Sequence, residues 1–134
     1  IKQHIDAGTN INDYPIPEGL PFEGAQPIHL AVLKGNKEIV QILLDNGAQI
    51  NLKATNKDEA TPLAWAAFFG KKDMVSLLIG SGASINALDA NDATPLDAAF
   101  FGWSFSQDDG ENERLREIMA IIKDNGGVSG SDLQ

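Results

Sequence analysis

The chain has 134 residues, of which 43% are hydrophobic and 22% charged, a length and composition that suit one folded domain and exclude a disordered or collagen-like chain. The absence of cysteine excludes a disulfide framework, a thiol nucleophile and a cysteine metal site. Ten basic against nineteen acidic residues give a net charge of −9, which repels phosphate backbones and anionic lipid, so nucleic-acid binding is not expected.

In chain order, the first segment, Ile1 to Asn12, reads as the end of a helix followed by a glycine exit at Gly8. Asp13 to Gly24 is a loop with three prolines and several large apolar side chains, stiffened at little entropic cost. Gln26-Pro27-Ile28-His29-Leu30-Ala31 opens a short helix, and proline at the first helical position loses no hydrogen bond. A second helix is predicted over 37–46, with apolar residues at Ile39, Val40, Leu43 and Leu44 and a left-handed cap at Gly47. Thr61-Pro62 starts the next helix, where the threonine hydroxyl accepts from an orphan amide. Its partner is predicted over 72–81, with Met74, Val75, Leu78 and Ile79 on one face and Gly82 at its end. Thr94-Pro95 starts the last pair. An insertion is expected at about 104–113, then a helix from Asn112 to Asp124 ending at Gly126-Gly127, then a frayed tail from Val128 to Gln134. Asn12, Asn51 and Asn86 each suit a tight turn by bonding local backbone.

These segments repeat. VQILLDNGAQIN (Val40–Asn51) matches VSLLIGSGASIN (Val75–Asn86) and, more loosely, Ile1 to Asn12; Gly47 and Gly82 are 35 residues apart. The three proline starts follow the same period, with Pro27 to Pro62 spanning 35 residues and Pro62 to Pro95 spanning 33. One unit of about 33 residues cannot bury its own apolar face, whereas stacked copies can. Ala66, Ala67, Ala98 and Ala99 leave room for a neighbouring helix, and Trp65 reads as core. TPLAWAAFFGKKDMVSLLIGSGASIN, Thr61 to Asn86, is a near-complete repeat that resembles the ankyrin-repeat family.

The resemblance implies one domain over 1–134, an all-α ankyrin-repeat solenoid of stacked helix-turn-helix units with extended β-hairpin-like loops. Its parts are a partial repeat at 1–12 holding the outer helix alone, a repeat at 13–51 with the long proline-rich loop, a repeat at 52–86, a C-terminal capping repeat at 87–127 and a flexible tail at 128–134. Trp103 stands where that last repeat would have glycine. The missing first inner helix suggests that the native protein begins upstream of Ile1. It would also leave Ile1 and Ile5 as an apolar edge able to pair two copies of an otherwise monomeric chain.

No catalytic set is legible. His4 and His29 are the two histidines; neither has a spaced nucleophile, and the resemblance implies that His29, at the fourth position of the Thr-Pro-Leu-His pattern, ties backbone turns together. Asp108, Asp109, Glu111 and Glu113 do not have calcium-loop spacing, so a solvated insertion is expected. Neither a phosphate-binding glycine motif nor a metal-ligand pattern is present, and no cofactor is expected. No apolar run is long enough to span a membrane. The compartment stays open, with a slight preference for the cytoplasm over a periplasmic or secreted location.

The resemblance instead implies a non-catalytic protein-interaction module that binds through its concave inner-helix face and loop tips. Carried over by position, the inner-helix residues are Leu33, Lys34, Phe68, Phe69 and Phe101, with Trp103 and Phe105 nearby in sequence. The tips are Phe22, Glu23, Lys57, Asp58, Ala90 and Asn91. Leu33, Phe68 and Phe101 would align as an apolar stripe, and acidic rim residues such as Glu23, Asp58 and Asp92 would steer a basic or mixed-charge protein partner. Three readings of the stripe remain at this stage. It binds a partner, with Phe68 more open than Phe69; or the proline-rich loop covers it with Tyr14, Ile16 or Phe22; or it is plain packing. A structural or regulatory spacer in a larger protein is the alternative function.

Overall fold

The computed structural model describes residues 11–105 and 108–133. Among them are six helices and no strand: α1 (Pro27–Lys34), α2 (Lys37–Asp45), α3 (Pro62–Phe68), α4 (Lys72–Gly80), α5 (Pro95–Phe105) and α6 (Asp109–Asp124), followed by a 3₁₀ turn at Gly130–Leu133. The short connections make α1/α2, α3/α4 and α5/α6 neighbouring pairs. The α3 helix packs on α1 at one side and on α5 at the other, and α4 packs on α6. The expected helical solenoid is therefore present over these residues. His4, Ile1, Ile5 and the partial first repeat, apart from Ile11 and Asn12, lie outside the described residues.

Local chemistry sets the helix starts. Thr61 Oγ1 accepts from the Ala64 amide and Thr94 Oγ1 from the Asp97 amide, each at 3.3 Å. Asn36 caps α2 through the Ile39 amide at 3.1 Å, and Asp108 Oδ1 caps α6 through the amides of Gly110 and Glu111. Lys71 at the start of α4 provides no side-chain cap.

The main core runs the length of the stack between inner and outer helices. Ile28, Val32, Val40, Leu43, Leu63, Met74, Val75, Leu78, Leu115, Ile118 and Ile122 are all at most 1% exposed. Each such side chain contributes roughly 1.5–3 kcal/mol of burial, and since each face is covered by the neighbouring pair, stability belongs to the stack rather than to any unit. Ala66, Ala67 and Ala99 are fully buried, as close helix approach requires. A close helix contact lies at Gly102 on α5, where an added Cβ would overlap the Phe68 carbonyl. Trp65 is buried, but in a second, smaller cluster with Ala25 and Ala54 and not in the main core.

Polar ladders join the repeats. Asn12 accepts from the Gln49 amide at 2.8 Å and donates to the Gly47 carbonyl at 3.0 Å. Asn51 accepts from the Ser84 amide at 2.8 Å, and Asn86 accepts from the Val128 amide and donates to the Gly126 carbonyl. Local backbone bonding was expected of these asparagines, whereas these bonds reach the turn of the following unit. The loops project as fingers closed by short-range bonds such as Ala54 N–H to the Ala60 carbonyl and Asp89 N–H to the Ala93 carbonyl. They are stitched together by Thr55 N–H to the Gly24 carbonyl and Ala90 N–H to the Asp58 carbonyl.

The last repeat corrects two expectations. The extra residues do not form a loop over 104–113: α5 continues to Phe105 and α6 begins at Asp109, so most of them lengthen the two helices. With Trp103 where Gly35 and Gly70 end the earlier inner helices, nothing favours a left-handed stop, and the helix runs on. The segment Val128–Leu133 is docked, not frayed. The Val128 amide bonds Asn86, the Val128 carbonyl accepts from Thr94 Oγ1 at 2.7 Å, and the Gly130 amide bonds Asp97 at 2.8 Å.

Candidate functional site

One side of the stack is built by the inner helices α1, α3 and α5 and the fingers before them. Its character is set by the fourth position of each inner-helix pattern, occupied by His29, Ala64 and Asp97 in turn. His29 is fully buried. Its Nδ1 accepts from the Gln26 amide at 3.1 Å, and its Nε2 donates to the Ala60 carbonyl of the next finger at 3.0 Å. Burial pushes its pKa down to about 4, against the opposing pull of the Ala60 and Leu52 carbonyls. The imidazole is thus neutral, spent on backbone bonds and unsuited to acid–base work. Asp97 Oδ2 accepts from the Thr94 amide and hydroxyl and from the Gly130 amide. Ala64 has no side chain to make such a bridge, and it lines an open groove.

That groove lies between the second and third repeats and has a volume of about 420 Å³. Trp65, Phe68, Phe69, Phe101 and Phe105 supply its aromatic walls, Ala60, Ala64, Ala93 and Ala98 its small apolar surface, and Asp58, Asp89 and Asn91 its polar rim. The rings touch in edge and tilted contacts: Phe68–Phe69 at 5.0 Å, Trp65–Phe69 at 5.7 Å and Phe68–Phe105 at 6.5 Å between centroids. Such pairings suit ring quadrupoles and hold the rings in place. Phe101 is 48% and Phe105 75% exposed, unusual for large apolar groups clustered on one surface. Phe100, 52% exposed, continues the aromatic surface around α5 through contacts with Phe101 and Trp103.

The proline-rich loop closes the neighbouring end. Phe22 sits 6.2 Å from both Trp65 and Phe69, and Ile16 joins the cluster around Trp65 that includes Leu33. A second, wider hollow of about 880 Å³ is lined in part by Phe22, Glu23, Lys57 and Asp58. The projected stripe is therefore divided. Leu33 packs in the cluster beside the loop, whereas Phe68 and Phe101 share the groove. Phe68 and Phe69 are both half-buried, so the expected contrast between them is absent. Lys34 is exposed at the end of α1, and Trp103 is half-buried against the core at the far side of α5. Asn91 sits at the groove rim, where its side chain donates to Asp58 Oδ1 at 3.4 Å.

Sequence reasoning missed the role of Ala64. The signal was available in the alignment of His29, Ala64 and Asp97, which shows a bridging side chain in the outer two repeats and none in the middle. Among the described residues no group of three or more histidine or acidic side chains is placed to hold a metal ion, and no helix is long and apolar enough to cross a membrane.

Comparison with known families matches residues 1–89 to a family model described as ankyrin repeats, in three copies. No curated protein sequence matches the chain.

Proposed function

The chain belongs to the ankyrin-repeat family, and from that premise we propose that it recognises a protein partner through the concave groove between its second and third repeats. Ankyrin repeats are generally protein–protein interaction modules and typically non-enzymatic. The observation that carries the choice of face is the groove itself. Exposed Phe101 and Phe105 and half-buried Phe68 stand over a small-residue floor, beside a rim of carboxylates. Aromatic anchors inside a polar rim are the usual anatomy of an interface hot spot. Rigidity supports the same reading. The fingers are stitched to one another and the rings are braced by neighbours, so little conformational entropy remains to be lost on binding. Phe22 and Ile16 line the neighbouring hollow, which shares Trp65 and Phe69 with the groove.

The test pairs the wild-type domain with a Phe68→Asp/Phe101→Asp variant in affinity capture from native lysate, with circular dichroism on both. The expected result is a protein retained by the wild type and lost by the folded variant. Equal retention by both folded proteins would remove the groove as the recognition surface.

A further inference from the structure

We infer that the groove is built to take a cationic side chain of the partner, an arginine, whose planar head lies against the aromatic walls and whose charge faces Asp58 and Asp89. The inference rests on the groove being the recognition surface and names the chemistry that it reads.

Its lining has an unbalanced composition. Five aromatic rings and two carboxylates face the space, with no lysine or arginine among the described lining residues. A purely apolar ligand would leave both carboxylates facing it without compensation. An anion would be repelled by them and by the overall charge of −9. A cation on an apolar stem satisfies both features, because ring faces attract positive charge and the stem covers apolar surface.

The carboxylates are held in place by the fold. Asp89 Oδ1 accepts from the Asn91 and Ala93 amides at 2.8 and 3.0 Å, and Asp58 Oδ1 accepts from the Asn91 side chain. No hydrogen bond or ion pair from the described residues reaches the second oxygen of either carboxylate. Each therefore retains acceptor capacity at the rim. Ala64 lines the space, at the position where His29 and Asp97 carry bridging side chains in the other repeats. Guanidinium fits better than ammonium, since it stacks flat on rings and donates in a fork to carboxylate, whereas ammonium is compact and strongly hydrated.

The experiment is a titration of the isotopically labelled full chain with N-acetyl-arginine amide, N-acetyl-lysine amide and N-acetyl-citrulline amide, followed by amide chemical shifts. Citrulline keeps the shape and hydrogen-bonding plane of arginine without its charge. The expected result is a set of shifts confined to residues around Ala64, Phe68 and Phe101, saturating at millimolar arginine. Lysine should bind at least threefold more weakly and citrulline at least tenfold. Asp58→Asn, with its fold checked by circular dichroism, should weaken arginine at least threefold and leave citrulline unchanged. Equal shifts from citrulline and arginine, or shifts scattered away from the groove, would overturn the cation assignment. Lysine matching arginine would overturn the choice of guanidinium. If the Phe68→Asp/Phe101→Asp variant still loses a captured protein while citrulline matches arginine, the recognition face stands and the cation alone is rejected.

Discussion

His29 and Asp97 stand at the same position of the first and last inner helices and fasten each to the segment that follows, with opposite hydrogen-bonding character. His29 donates through Nε2 to the Ala60 carbonyl at 3.0 Å, whereas Asp97 accepts through Oδ2 from the Gly130 amide at 2.8 Å. Each side chain matches the backbone group that the next segment presents. Between them, Ala64 makes no such link and lines the groove.

The burial of His29 makes stability depend on pH. Its pKa is about 4 in the folded chain against an ordinary 6.5, so the unfolded chain binds the proton more readily. Its contribution is complete above pH 6.5 and is lost progressively as the pH falls towards 4, where protonation of the folded form begins to limit the loss. The total is about 3 kcal/mol. Urea denaturation of the wild type and His29→Gln between pH 7 and 4 should show the steeper loss in the wild type. Parallel curves would mean that the imidazole does not carry the dependence.

Asp97 should decide whether the C-terminal turn stays docked. Its carboxylate holds the Gly130 amide together with both Thr94 donors. Asp97→Ala leaves the Thr94 and Gly130 amides without their acceptor, while the Thr94 hydroxyl keeps the Val128 carbonyl, a loss of about 1–3 kcal/mol. Limited proteolysis after the docked segment should accelerate in the variant before global unfolding is reached. Unchanged protection of Val128–Leu133 would show that the Asn86 and Thr94 bonds to Val128 suffice.

The parts legible in the sequence are those governed by periodicity. The proline starts, the apolar spacing and the glycine exits are local, and each helix follows from its own residues. What stayed hidden depended on partners distant in the chain. Asn12, Asn51 and Asn86 look like turn residues because asparagine bonds nearby backbone in many loops, yet their partners lie in the next repeat. The residues after Gly127 look frayed by composition, but a carboxylate and an asparagine more than 30 positions earlier hold them. The insertion reads as a connection because it falls between the two helices of the repeat, although most of its described residues extend α5 and α6. For the groove, Phe68 and Phe101 follow from the family resemblance carried over by position. The separation of Leu33 into the Trp65 cluster required the fold of the proline-rich loop.

Lys71 offers a stabilising change. It occupies the N-cap position of α4 without capping it, whereas Asn36 at the matching position of α2 bonds the Ile39 amide. Lys71→Asn should supply the missing acceptor and raise stability by about 1 kcal/mol. Thermal denaturation measures it directly, and a fall in melting temperature would indicate that the backbone at Lys71 (φ −89°, ψ 74°) does not present an asparagine side chain to the first turn.

One substitution at two helical glycines should have opposite signs. Gly80, the last residue of α4, has no heavy atom within 4 Å of the Cβ it lacks. Gly80→Ala therefore removes backbone freedom from the unfolded chain without a clash and should stabilise by up to about 1 kcal/mol. Gly102 is buried in α5, and a Cβ there would overlap the carbonyl of Phe68. Neither backbone can yield without separating α3 from α5, so Gly102→Ala should destabilise by about 1–3 kcal/mol. It should also disturb the groove, because the same two helices carry Phe68 and Phe101. The pair is read by urea midpoints together with the amide shifts of Phe68 and Phe101. A neutral Gly102→Ala with unchanged shifts would mean that the helices have slack at their contact, and the rigidity assigned to the groove would go with it.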